Sequence, residues 1–173
     1  MPSLQQGRRV ERHLLPLNRK NRGMTNARVN VLFLCTGNAC RSQMCEGWAR
    51  HLKGNRIEAW SAGVAPHGLD PRAVQVMAEA GVDISGHSSK HVDTLLHLPF
   101  DYVVTVCDSA AESCPVFPGK ARKLHRSFQD PPALARGART EKEALEHYRR
   151  VRDEIRAFVE TLPDALTSEG AAT

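Results

Sequence analysis

The chain alternates between short apolar runs and longer stretches whose apolar positions recur every three or four residues. Val29-Asn30-Val31-Leu32-Phe33-Leu34 is a β-rich apolar run and predicts a buried strand. A turn containing Gly37 and Asn38 follows, then a helix from about 41 to 53 that Gly54 stops. Ile57 to Trp60 predicts a second strand, leading into Ser61-Ala62-Gly63. Asp70-Pro71 opens another helix, with Asp as N-cap and Pro at the first helical position. Val74, Met77 and Ala78 form its expected apolar stripe, and Gly81 ends it. A short helix is expected over 90–96, a third strand over 101–107 (DYVVTVC) and a weaker fourth over 121–125. Thr140-Glu141-Lys142-Glu143 has the form of a capping box. It opens a long helix with Leu145, Tyr148, Val151, Ile155, Phe158 and Leu162 on one face.

Strands alternating with helices predict an α/β fold whose parallel sheet is covered on both faces. In such sheets the site lies beyond the carboxyl ends of the strands. The first and third strands both run into a cysteine, Cys35 and Cys107, so two thiols are expected at that rim. A folded domain is expected over 28–163, between a basic arm (1–27) and a flexible tail (164–173).

Composition changes this picture little. The 173 residues suffice for one domain with a real core, and no apolar run reaches the length of a membrane span. Five cysteines without an export signal point to a reducing, cytoplasmic compartment and to reactive or buried thiols. The formal charge of +5 belongs entirely to residues 1–23, which hold six Lys/Arg and one acid. Residues 24–173 hold 18 of each sign, so no nucleic-acid surface is expected on the folded part. The arm lacks aromatic residues to stack bases and reads as a solvated tail, or as an over-long start with Met24 as the initiator.

The sharpest chemical signal is Cys35-Thr36-Gly37-Asn38-Ala39-Cys40-Arg41-Ser42. A cysteine ends a strand, five residues form a loop, and an arginine begins a helix. Such a loop can curl so that the backbone N–H groups of Thr36, Gly37, Asn38, Ala39, Cys40 and Arg41 form a nest for a tetrahedral oxyanion. The helix N-terminus adds its positive end, and the Arg41 fork can grip two oxygens at once. Gly37 and Asn38 tolerate the positive φ of the curl. These fields favour a thiolate at Cys35, and the Ser42 hydroxyl is placed to donate to its sulfur. A second constellation is Cys107-Asp108-Ser109-Ala110-Ala111-Glu112-Ser113-Cys114-Pro115. Phosphoryl chemistry needs no such cysteine pair, whereas redox chemistry does. Taken alone the two cysteines read more readily as unrelated, and only a reactive thiolate nearby turns them toward redox work. A third element is Asp130, before Pro131-Pro132: prolines stiffen the loop after it, and an aspartate there can give a proton to a departing oxygen. An Asp before a Pro is usually a turn residue, so this role depends on the resemblance given next.

The run VLFLCTGNACRSQM, the SAG and HGLDPRAV segments, VTVCDSAAESCPVFPG and the Asp130-Pro131 pair resemble the thioredoxin-coupled arsenate reductases. These share the low-molecular-weight tyrosine phosphatase fold, and the likeness covers about 29–162. It implies a four-stranded parallel sheet flanked by helices on both faces. It also implies roles: Cys35 attacks arsenate held by the 36–41 backbone and Arg41, and Asp130 protonates the leaving oxygen. Cys107 attacks Cys35 and releases arsenite, and Cys114 attacks Cys107. Thioredoxin then reduces the Cys107–Cys114 disulfide, so no bound cofactor is expected, and the chain is expected to act as a monomer.

Two departures from the family pattern stand out. Cys45 takes the place of a small alanine and reads as a helix residue without a catalytic role. Some relatives bind potassium beside the loop; Asn38, Glu46 and Ser61 match that site, but Lys90 replaces its aspartate, so no metal is expected. Cys40, inside the loop, is read as mainly structural. His87 and His91, four apart, have nothing converging on them for zinc. The alternative activities are a phosphotyrosine protein phosphatase, an arsenate reductase using a small thiol, and a redox or metalloid sensor. Against the phosphatase, Pro-Pro follows Asp130 where tyrosines would line the cleft, and Gln43 replaces a proline.

Overall fold

A computed structural model describes residues 27–117 and 119–168; the arm up to 26 and the tail from 169 lie outside the described residues. Four strands form one sheet: β1 (Val29–Cys35), β2 (Ile57–Gly63), β3 (Tyr102–Thr105) and β4 (Arg122–His125). Their spatial order is β2-β1-β3-β4 and every pairing is parallel. β1 is central, and Val31, Leu32, Phe33 and Leu34 are all fully buried. Successive strand residues point to opposite faces, so both faces of the sheet are covered at β1. β4 is short, polar and largely exposed, as suits an edge strand.

Among the described residues six helices accompany the sheet: α1 (Arg41–Lys53), α2 (Pro71–Glu79), α3 (Asp108–Glu112), α4 (Pro131–Ala135), α5 (Glu141–Glu160) and α6 (Asp164–Ser168). The helix expected over 90–96 is a single 3-10 turn, Val92–Leu95. α2 starts as predicted, with Asp70 accepting from the Arg72 N–H at 2.8 Å. Its buried side is Ala73, Val76 and Met77, however; Ala78 is exposed, so the expected stripe is rotated. α5 buries Leu145, Tyr148, Val151 and Ile155 as predicted, together with Ala144 and Val159. Thr140 caps α5 by accepting from the Glu143 N–H at 3.1 Å, while Glu143 accepts from the Arg139 N–H, one residue before the cap.

Two expectations are corrected here. The prolines after Asp130 do not stiffen a loop; they form the first turn of α4, where a missing N–H costs nothing. The segment 164–168 is not a flexible tail. It is α6, with Leu166 buried in the core and Asp164 paired to Arg56 at 2.8 Å. Among the described residues no helix is long and apolar enough to cross a membrane.

Candidate active site

β1 ends at Cys35 and α1 begins at Arg41, so the intervening loop sits at the carboxyl edge of the sheet. Asn38 is fully buried and has φ 46°. Its side chain is the loop's internal brace: Nδ2 donates to Ser42 Oγ at 2.9 Å and to Ser61 Oγ at 3.0 Å, and Oδ1 accepts from the Lys90 N–H at 2.9 Å. Gln43, also buried, donates from Nε2 to the Asn38 carbonyl at 3.0 Å. Gly63, at the end of β2, lets the loop close. A Cβ there would stand 2.5 Å from the Thr36 carbonyl oxygen and 2.8 Å from the Asn38 nitrogen.

Two donors converge on the Cys35 sulfur. The Asn38 N–H reaches it at 3.1 Å and Ser42 Oγ lies 2.8 Å away. Because Asn38 Nδ2 already takes a lone pair of Ser42 Oγ, the hydroxyl proton is free to point at sulfur. Cys40 occupies the N-cap position of α1 without a side-chain capping bond, and no acid stands in the first turn. The positive end of α1 is therefore left for an anion.

A cleft of about 700 Å³ opens above the loop. Cys35, Arg41, Cys107 and Asp130 all line it. Arg41 donates from Nη1 to the Phe128 carbonyl at 2.9 Å and pairs through Nη2 with Asp130 Oδ1 at 3.1 Å. Asp130 is the N-cap residue of α4, yet its carboxyl makes no capping bond and is turned toward Arg41. Cys107, which ends the segment after β3, sits 3.3 Å from the Thr36 hydroxyl. It is the N-cap residue of α3, so Asp108 falls in the first turn rather than at the cap. Cys114 is half-buried and does not line the cleft. All five cysteines are free thiols. Burial pushes the Cys40 and Cys45 thiols well above their ordinary range, which keeps both protonated and unreactive.

The residues that match a potassium site do not fit a resident cation. The Glu46 carboxylate accepts from Ser61 Oγ and is paired with Arg50 at 2.6 Å, and Lys90 Nζ lies 3.9 Å from it. A cation placed there would face two positive groups. His87 and His91 are engaged separately, His87 with Gln43 Oε1 at 3.0 Å and His91 with the Asp93 N–H at 3.2 Å. Among the described residues no group of three His, Cys, Asp or Glu is arranged to hold a metal.

Sequence reasoning missed His67, Ser127, Phe128 and Gln129 among the lining residues. His67 lies in the HGLDP run, and its ring packs so closely over Gly37 that a Cβ on that glycine would come 2.0 Å from Nε2. No spacing rule points to this contact, because the loop after β2 meets the loop after β1 only in the fold, where the His67 N–H donates to the Gly37 carbonyl at 3.2 Å.

Comparison with known proteins gives consistent results. The model of the low molecular weight phosphotyrosine protein phosphatase family matches residues 30–172. An arsenate reductase of Bacillus subtilis is 45% identical over 135 residues, which is 76% of this chain and 95% of the relative. A solved arsenate reductase in the phosphate-binding state superposes with a TM-score of 0.60 at 30% identity, covering 78% of this chain and 95% of the other. The thioredoxin-dependent arsenate reductase of Corynebacterium glutamicum gives a TM-score of 0.56 at 27% identity, covering 79% of this chain and 63% of the other.

Proposed function

The chain belongs to the low molecular weight phosphotyrosine protein phosphatase family, and on that premise we propose that it is an arsenate reductase working through Cys35, Cys107 and Cys114. The arsenate reductase activity itself is supported by the named relatives. The observation that carries the finer reading is the Cys107 thiol beside Thr36, over the same cleft as Cys35. A phosphatase has no use for a second thiol there.

The loop N–H groups and Arg41 bind arsenate, and the Cys35 thiolate attacks arsenic. Asp130 gives a proton to the departing oxygen, which leaves as water. The Cys107 thiolate then attacks Cys35 Sγ. The sulfur–arsenic bond breaks with its electron pair left on arsenic, so arsenic(V) becomes arsenic(III) and arsenite departs. The two cysteines carry the oxidation as a disulfide. The Cys114 thiolate attacks Cys107 Sγ, Cys35 leaves as thiolate, and a Cys107–Cys114 disulfide remains. A thioredoxin dithiol in the cytoplasm reduces it; the thioredoxin-dependent neighbour supports that choice of partner. The chain acts as a monomer and needs no bound cofactor.

Arsenate-dependent NADPH oxidation, with thioredoxin and thioredoxin reductase added, tests this reading against p-nitrophenyl phosphate hydrolysis. Vigorous phosphatase turnover without arsenate reduction overturns it in favour of the phosphatase, whose chemistry the loop and Asp130 serve equally well.

A further inference from the structure

Two donors converge on one backbone oxygen beside Cys114. The Pro115 carbonyl accepts from the Cys114 thiol at 3.7 Å and from Lys123 Nζ at 2.8 Å. Lys123 lies in β4, eight residues further along the chain, and its side chain crosses from that edge strand to the segment carrying Cys114. An ammonium and a thiol that share an acceptor are close neighbours. While the thiol keeps its proton, both groups donate to the carbonyl. Once that proton is gone the sulfur no longer donates and becomes an anion beside the ammonium.

We infer that Lys123 is a positioning residue for the second thiol exchange, fixing Pro115 against β4 and pairing with the Cys114 thiolate that attacks Cys107. The inference rests on the three-cysteine relay proposed above. In the exchange, a bond forms between Cys114 Sγ and Cys107 Sγ while the Cys107–Cys35 bond breaks. The electron pair leaves on Cys35, and the Cys114 proton has already gone to solvent.

The surroundings explain why such a residue is needed. Partial burial pushes the Cys114 thiol up, away from the form that attacks, and Lys123 acts in the opposite direction. The Asp108 carboxylate on the same segment is engaged elsewhere, bonded to His125 Nε2 at 2.9 Å. Lys123 and His125 stand two apart on β4 and so share a face of the strand. One holds Pro115 and the other holds Asp108, the two ends of the segment that runs between the resolving cysteines. β4 thus brackets that segment and lets its middle rearrange without losing either end.

The test uses the full chain with Lys123→Gln and Lys123→Arg. In the reduced protein, alkylation of Cys114 by iodoacetamide is followed against pH by peptide mass spectrometry. The Gln variant is expected to react about three- to tenfold more slowly near neutral pH, with its profile displaced upward, and the Arg variant to recover most of the loss. In a second arm, one equivalent of arsenate is added without reductant and the disulfides are trapped by acid quench. Arsenite release is expected at the unmodified rate, while the Cys35–Cys107 disulfide persists about five- to tenfold longer in the Gln variant. An unchanged alkylation profile and unchanged disulfide transfer in Lys123→Gln overturn the inference alone. Failure of the unmodified chain to form the Cys107–Cys114 disulfide overturns the relay and this inference together.

Discussion

The Thr36 hydroxyl and the Cys107 thiol lie 3.3 Å apart although 71 residues separate them in the chain. Thr36 is the first residue of the oxyanion loop, and Cys107 follows the strand paired beside β1. The hydroxyl therefore ties Cys107, the thiol proposed to attack Cys35, to the loop that begins at Cys35. Replacing Thr36 with valine keeps the shape and removes this bond. It is expected to slow arsenite release about tenfold, as the loss of a hydrogen bond of about 1.4 kcal/mol would, with p-nitrophenyl phosphate hydrolysis changed far less. Equal losses in the two assays would show that the threonine serves the loop and not Cys107.

The three thiols are expected to fail at different stages. Cys35→Ser abolishes both arsenate reduction and any phosphatase activity. Cys107→Ser keeps the phosphatase activity and releases no arsenite. Cys114→Ser releases about one equivalent of arsenite per chain and then stops, by the stoichiometry of thiol exchange. Full turnover of Cys114→Ser with thioredoxin as sole reductant would contradict the relay.

The segment between Cys107 and Cys114 is expected to change shape when they join. A helix running the whole way would rise roughly 10.5 Å, beyond the roughly 7 Å that a disulfide allows between Cα atoms. α3 is already helical only over Asp108–Glu112, with Cys107 extended before it and Cys114 past its end, and closing the bond is expected to unwind what remains. α3 buries little besides Ala110, and its other side chains are exposed, so its local stability is low. Hydrogen exchange of amides 108–114 is expected to accelerate on oxidation. Equal protection in the reduced and oxidised forms would mean that α3 survives closure of the bond.

Lys90 and Arg50 already neutralise Glu46. Activity and melting temperature are expected to match in sodium and potassium salts at equal ionic strength. A rise in melting temperature specific to potassium would show that Lys90 swings away to admit the ion.

The fold is expected to weaken on the alkaline side. Burial, the largest cause in each case, raises Cys40, Cys45 and Tyr148, the last aided by its 2.7 Å bond to Asp70. A group raised on folding contributes fully below its unfolded pKa, which is about 8.5 for a thiol, and that contribution is lost as pH climbs toward the folded value. Each such thiol removes about 1.4 kcal/mol of stability per pH unit in that window. Denaturant titrations between pH 7.5 and 10.5 should therefore fall less steeply for Cys45→Ala than for the unmodified chain, and parallel slopes would count against this account.

Gly63→Ala is expected to destabilise the protein by about 1–3 kcal/mol and to cost most of the activity, because the new methyl meets loop backbone rather than a yielding side chain. Denaturant midpoints measured beside turnover would check both effects; a fully active variant would show that the loop can shift without harm.

The local part of this site was readable in the sequence because its chemistry is local. Cys35, Arg41 and Ser42 belong to one strand–loop–helix unit, and α1 runs over the range its pattern predicts. What depended on other elements was less legible. β2 extends three residues past the predicted Trp60 because its pairing with β1 continues to Cys35↔Gly63. The stripe of α2 is rotated toward Ala73 and Val76 by packing against its neighbours, which single-helix periodicity does not encode. α4 was hidden because Pro-Pro signals a stiff loop and a helix start equally. His67 lay in a segment that the resemblance covers, but its contact with Gly37 follows no spacing rule, and Lys123 carried no signal because only the pairing of β4 brings its side chain back to Pro115.

The parallel register of β1 and β3 also acts as a ruler. Leu34 is opposite Thr105, so the two chains leave the sheet side by side, about 4.8 Å apart. The proposed first sulfur-to-sulfur handover would therefore be gauged by hydrogen-bonded backbone, the least compliant material in the molecule. Deleting a single residue between Thr105 and Cys107 would turn the second thiol through half a pleat, to the opposite side of the sheet. Lengthening the stretch after Cys107 would leave that gauge untouched. A change of length just upstream of Cys107 should therefore be rejected, whereas one between α3 and Cys114 meets no such gauge.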